Sequence, residues 1–233
     1  MALPLIQIPA LGCDAGLYAP FNTALGMETQ TIIAVATRMR GCVQHVLAQA
    51  PQEFILMGTS FGGRVAMEIA LAAPDHVKGL VIIGAGPGPV IDQPAGLRRS
   101  ARVRGGEFEN VLQEMGDIIS HLPGPRGPET MQAFRAMSRK LGLENFALQS
   151  DALAYRVDLW PRLSEIKCPV LCLWGEHDQY TSADVGRKIA ASVPRGTFRV
   201  LKDCGHFPTL EYPQEAAGAV KNWLSDERLF QTQ

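Results

Sequence analysis

Short runs of continuous apolar residues, each bounded by glycine or proline, alternate along this chain with longer stretches of helical periodicity. The strand-like runs are Leu5–Ile8, Thr31–Val35, Phe54–Met57, Leu80–Ile83 and Val170–Trp174. Continuity without polar alternation is what strands covered on both faces require, so these runs predict a mostly parallel sheet between two helical layers. A sixth run, Thr197–Leu201, alternates, with Phe198 and Val200 on one side and Thr197 and Arg199 on the other. That pattern suits a half-exposed strand near a sheet edge.

The intervening segments predict helices. Met39–Ala50 stops at Pro51 and Phe61–Ala73 at Pro74, because proline lacks the donor and clashes with the preceding turn. Ser182 is expected to cap a helix with Val185, Ile189 and Val193 on one stripe. Pro213 fits the first turn of a last helix facing inward through Val220, Trp223 and Leu224. Between Pro87 and Trp160 no strand is visible. Phe108, Leu112, Met115 and Ile119 form one apolar stripe there, and Phe134, Met137 and Leu141 another. This stretch predicts a helical cap insertion at about 88–160 within a single α/β domain spanning 1–233. The expected class is therefore α/β: about six strands, mostly parallel, with helices on both faces.

A 233-residue chain can bury most of the surface it exposes when unfolded. A net charge of −1 offers nothing to nucleic acid or to an anionic membrane, so neither is an expected partner. No apolar run reaches the roughly 18 residues of a membrane span, and Met1-Ala2-Leu3-Pro4 does not open like a secretory leader. Cys13, Cys42, Cys168, Cys172 and Cys204 are odd in number and lack CxxC spacing. Reduced thiols in a cytoplasmic protein are expected, with no metal or disulfide framework.

Three loops carry the chemistry. Gly58-Thr59-Ser60-Phe61-Gly62 is a G-x-S-x-G match, weak alone. Here a buried strand leads in and an apolar helix leads out, the strand–turn–helix setting that presents a serine on a sharp turn. Its glycines answer the close backbone approaches of that turn. Asp178 ends Trp174-Gly175-Glu176-His177-Asp178, directly after a buried strand, and His206 lies in Gly205-His206-Phe207-Pro208, after the last strand. Loops at the C-terminal ends of parallel strands converge on one edge, so the three side chains can meet. A serine hydroxyl needs an adjacent base, which needs an orienting acid.

These motifs, with Ile8-Pro9-Ala10-Leu11-Gly12 and Ile166-Lys167-Cys168-Pro169-Val170, make the chain resemble the α/β-hydrolase superfamily over nearly its whole length. The nearest likeness is to compact bacterial carboxylesterases of the type that cleaves pimeloyl methyl esters. The resemblance implies a triad of Ser60, Asp178 and His206, an oxyanion hole from the backbone N–H groups of Leu11 and Phe61, and no cofactor. It implies cleavage of a small carboxylic ester through an acyl-enzyme. Carbon–carbon bond hydrolysis or perhydrolysis on the same triad stays open, as does a slow-turnover ligand sensor. Two departures stand out. Pro9-Ala10 replaces the usual His-Gly before the second oxyanion donor, and too few residues precede Pro9 for the family's N-terminal hairpin.

Loss of that hairpin should leave the Thr31–Val35 strand as an edge with unpaired backbone groups, a possible homodimer surface. His45, His76, His121 and His177 are expected to be solvated or in ordinary polar contacts. Asp203 is a rival acid for His206, on the wrong side of it in the loop; Cys204 is no rival nucleophile without an elbow. Arg98, Arg99, Arg102 and Arg104 read first as a solvated helix face. Their sharper reading is recognition of an anionic substrate tail or an acidic carrier protein, centred on Arg98 and Arg102.

Overall fold

The computed structural model describes residues 3–229; the first two residues of the leader reading lie outside them. The chain runs β1 (Leu5–Ile8), α1 (Ala19–Leu25), β2 (Thr29–Thr31), α2 (Met39–Leu47), β3 (Phe54–Thr59), α3 (Phe61–Ala72) and β4 (Val77–Ile83). Four helices come next: α4 (Gln93–Arg102), α5 (Phe108–Ile119), α6 (Gly127–Leu141) and α7 (Leu143–Ala154). A 3-10 turn at Trp160–Glu165 leads to β5 (Val170–Gly175), α8 (Ala183–Ser192), β6 (Gly196–Leu201), α9 (Pro208–Glu211) and α10 (Pro213–Asp226).

The strands form one six-stranded sheet in the order β2-β1-β3-β4-β5-β6, every neighbouring pair parallel. Every residue of β1, β3 and β5 is buried, including the polar Gln7 and Thr59 among their apolar neighbours. Each large apolar side chain removed from water there contributes about 1.5–3 kcal/mol. Helix α1 packs with α10, whereas α2 packs with α3, and the 3-10 turn at Trp160–Glu165 touches α3 and α8, so two helical layers enclose the sheet. Within the insertion, α4 lies on α7 and α5 on α6. Among the described residues no helix is long and apolar enough to cross a membrane.

Two expectations need correction. The edge strand is Thr29–Thr31, not Thr31–Val35. Ile32 and Ala34 are buried, but in irregular chain whose Ala34 carbonyl accepts from Gln149 of α7. Pairing with β1 ends at the Ile32 N–H, which donates to the Gln7 carbonyl at 2.9 Å, and beyond it the insertion takes over the backbone at Ala34. Ser182 occupies the N-cap of α8, yet its side chain makes no capping bond. Helix α1 and the 3-10 turn before it (Ala15–Tyr18) went unread because seven residues are too few for a periodic apolar stripe, although Pro20 at the start and Gly26 at the end are the ordinary boundary residues. Strand β6 is a half-exposed edge as expected, but its burial does not alternate: Thr197 and Phe198 are half-buried, Phe198 beneath the Arg187 guanidinium, whereas Arg199 and Val200 are both exposed.

The chain steps from β1 out to β2 at the edge, then crosses back to form β3 on the other side of β1. Such a reversal opens a crevice at the carboxyl ends of β1 and β3. The Pro9–Gly12 loop and the β3–α3 turn both empty into it.

Candidate active site

Ser60 sits between β3 and α3 with φ 54° and ψ −114°, a conformation a non-glycine residue adopts only when its surroundings enforce it. Its N–H donates to the Ile83 carbonyl at 2.7 Å, and its own carbonyl accepts from Arg64 at 3.0 Å. Close packing against β1 holds the turn. A Cβ on Gly62 would collide with the Ile8 carbonyl, so the elbow and the oxyanion loop can approach this closely only with glycine there. Beneath them, the buried Tyr18 hydroxyl donates to the Ile8 carbonyl at 2.7 Å and lies 3.0 Å from the Thr59 hydroxyl.

His206 and Asp178 are joined by a 2.7 Å contact between Nδ1 and Oδ2, with both side chains almost wholly buried. The carboxylate is an acceptor, so Nδ1 is the nitrogen that donates to it and Nε2 faces away from the pair. The other oxygen of Asp178 accepts from the backbone N–H groups of Tyr180 at 2.8 Å and Thr181 at 3.0 Å. Three donors thus converge on this buried carboxylate. Gly84 (φ +56°) fits against the pair: a Cβ there would lie 3.0 Å from both Asp178 Oδ2 and His206 Nδ1. Tyr180 closes another side, its ring centroid 4.8 Å from that of His206 and its hydroxyl bonded to the Met115 carbonyl.

Ser60, His206, Leu11 and Phe61 all line one cavity of about 470 Å³, roofed by the insertion through Met115, Ile119 and Leu153. Phe61 is the first residue of α3, so its N–H has no intrahelical acceptor. Nearby, the Gly12 N–H is bound by the Gln149 side chain at 2.9 Å, and the Cys13 N–H by the Ala10 carbonyl. The N–H groups of Leu11 and Phe61, with no acceptor among the described residues, lie in the same cavity wall as Ser60 and His206, an arrangement able to stabilise a developing oxyanion. Pro9-Ala10 leaves Leu11 in the cavity wall despite the departure from His-Gly.

Several contributors were invisible in the sequence. Gln149, fully buried, holds the oxyanion loop and the chain after β2 at once. Glu211, also buried, accepts from the N–H groups of His121 and Gly205 at 2.9 Å and Phe207 at 3.2 Å, clamping the loop that carries His206. Neither belongs to a local motif; only their unusual burial for polar residues marks them.

The rival residues lie elsewhere. Asp203 is exposed and faces His177 at 3.9 Å. Burial raises the Cys204 thiol far above its ordinary pKa, and the Glu211 carboxylate adds to the effect. His45 and His76 are exposed. His121 and His177 stack with centroids 4.1 Å apart, and their ligand nitrogens and an Asp203 oxygen lie within 4.8 Å of one another. These three are the described side chains whose arrangement could hold a metal ion. The insertion's arginines separate: Arg98 pairs with Asp92, Arg102 with Glu107 and Glu114, and Arg104 with Glu144 and Asp151, whereas Arg99 faces the cavity.

The sequence profile of the alpha/beta hydrolase family matches residues 11–219. A 2-hydroxy-6-oxononadienedioate/2-hydroxy-6-oxononatrienedioate hydrolase of Burkholderia vietnamiensis is 32% identical over 177 residues, which are 72% of this chain and 61% of that protein. The chain thus spans less than two thirds of that relative's length. An esterase from Thermogutta terrifontis, solved with malate bound, superposes with a TM-score of 0.82 at 22% identity, covering 97% of this chain and 90% of that one. The enol-lactonase of Burkholderia xenovorans LB400 gives 0.84 at 17% identity, covering 97% and 92%. At such identities the two structures speak for a shared fold.

Proposed function

The chain belongs to the alpha/beta hydrolase family, and from that premise we propose that it is a serine hydrolase cleaving a small carboxylic ester through an acyl-enzyme. The observation that carries this reading is the buried 2.7 Å Asp178–His206 pair opening onto the same cavity as a serine held at φ 54°. In the first step Ser60 Oγ attacks the ester carbonyl while His206 Nε2 takes its proton. The tetrahedral oxyanion is met by the N–H groups of Leu11 and Phe61. Collapse breaks the bond to the alcohol oxygen, which receives the proton from His206. Water, deprotonated by the same imidazole, then attacks the acyl-enzyme; the acid leaves and Ser60 regains its proton. Asp178 stabilises the imidazolium in both halves.

The relatives named for 2-hydroxy-6-oxononadienedioate favour a second reading, carbon–carbon bond hydrolysis on the same triad. A chain-length series of p-nitrophenyl esters, assayed beside a 2-hydroxy-6-oxo dienoate, decides between them. For the ester reading, steady turnover should fall by about 10⁴–10⁶ in Ser60→Ala. Equally feeble ester turnover by wild type and Ser60→Ala would sink it, in favour of carbon–carbon cleavage if the dienoate is consumed, or of a ligand sensor if neither substrate is.

A further inference from the structure

The cavity around Ser60 is lined by three guanidinium groups, those of Arg64, Arg99 and Arg156, and among its described lining residues there is no aspartate or glutamate. Two of the three have protein acceptors. Arg64 is satisfied by Glu68 and by the carbonyls of Pro87, Gly88 and Val157. Arg156 donates from Nε to the Gly88 carbonyl at 3.3 Å and from Nη1 to the Leu153 carbonyl at 3.1 Å, with no carboxylate partner. Arg99 makes no hydrogen bond or ion pair among the described residues, although its three neighbours in the cluster are all ion-paired at the surface.

A half-buried guanidinium cannot escape its charge by losing a proton, so it needs an anion or an open path to water. Burial holds Arg99 and Arg156 below the ordinary arginine value, and for Arg156 the neighbouring charges that add to this are Arg64 and Arg99. The carboxylate-free lining thus leaves Arg99 and Arg156, unlike the Glu68-paired Arg64, without an anionic partner in the cavity wall. We propose that the missing anion arrives with the substrate: an ester carrying a free carboxylate, gripped by Arg99 with Arg156 beside it. A planar guanidinium fork matches a carboxylate's two oxygens, which makes Arg99 a specificity-determining residue. The scissile ester rests on the serine-hydrolase reading; the carboxylate site does not.

The test compares mono-p-nitrophenyl glutarate with p-nitrophenyl valerate, which differ chiefly in the terminal carboxylate. Wild type should prefer the anionic ester in kcat/KM by about 10-fold or more. Arg99→Gln should cut that preference by roughly 10- to 100-fold, through KM for the glutarate ester. Arg99→Lys should restore part of it, and Arg98→Gln, at the paired surface position, should retain it. Separately, glutarate should bind Ser60→Ala in calorimetry and lose that binding when Arg99→Gln is added. No anionic preference in wild type, an equal loss on both esters, or glutarate binding indifferent to Arg99 would each overturn the proposal. If neither ester is turned over while glutarate binding depends on Arg99, the carboxylate site stands and the esterase reading falls.

Discussion

Gln149, on the last helix of the insertion, accepts a 2.9 Å hydrogen bond from the Gly12 N–H of the loop that also carries Leu11. Its amide nitrogen is bound in turn to the Ala34 carbonyl at 3.0 Å. One buried side chain of the insertion thus ties the loop after β1 to the chain after β2. Gln149→Leu should leave two buried backbone groups unpaired and lower stability by about 1–3 kcal/mol. If Gln149 positions the loop, kcat on a p-nitrophenyl ester should drop more than KM rises. A change confined to melting temperature would show the contact to be structural only.

Asp178 fixes which imidazole nitrogen of His206 carries the proton. Asp178→Asn keeps the shape but can present an N–H to Nδ1, reversing the tautomer. A loss of about 10⁴ in kcat is expected, with folding retained by circular dichroism. Retention of a tenth of the activity would mean that this carboxylate is not the orienting acid.

Glu211 holds three backbone N–H groups of the loops flanking His206. Glu211→Gln replaces a charge-assisted acceptor with a weaker one and adds an amide donor without an acceptor. Chemical denaturation should report a loss of about 1.5–3 kcal/mol, with kcat falling alongside it. An unchanged midpoint would contradict the clamp.

Gly62 lies where the elbow meets β1, and any Cβ would strike the Ile8 carbonyl. Gly62→Ala should cost about 1–3 kcal/mol or more, as overpacking of backbone cannot be relieved by rotamer changes. Soluble expression and denaturant midpoint are the readouts; wild-type values for both would refute the steric argument.

All five thiols are buried, and burial pushes Cys168 up to about 11 and Cys42 and Cys172 up to about 12. In the unfolded chain a thiol ionises near 8.5. Folded protein therefore holds more protons above that pH, so their contribution to stability is complete below about 8.5 and is lost as pH rises through 11 to 12. Each thiol should take away about 1.4 kcal/mol per pH unit within its window. Melting temperature should fall steeply above pH 9, more gently in Cys42→Ala compared at matched pH. Native protein should also resist alkylation at pH 8, with all five thiols reacting once it is unfolded.

The strands, the elbow and the Asp178 and His206 loops were legible because each is a local pattern: an apolar run of strand length, then a turn that demands particular residues. That Ser60 and His206 line one cavity, with Asp178 bonded to His206, follows from chain order and from the rule that parallel strands point their loops one way. What periodicity reports, however, is burial, not the identity of the covering element. Ile32 to Val35 carries that ambiguity: the run looked like a strand, but the paired strand is Thr29–Thr31 and the insertion covers the segment after it.

By itself the sequence determined five of the six strands and which loops lie at the sheet's edge, since hydrophobic spacing and turn chemistry act over a few neighbours. Tertiary structure alone decided that Arg99 turns inward while Arg98, Arg102 and Arg104 find carboxylates outside. It alone brought Gln149 to Gly12 and Glu211 to Gly205. A polar side chain's role depends on which donors and acceptors lie within about 3 Å, and residues far apart in the chain become such neighbours only when the helices pack.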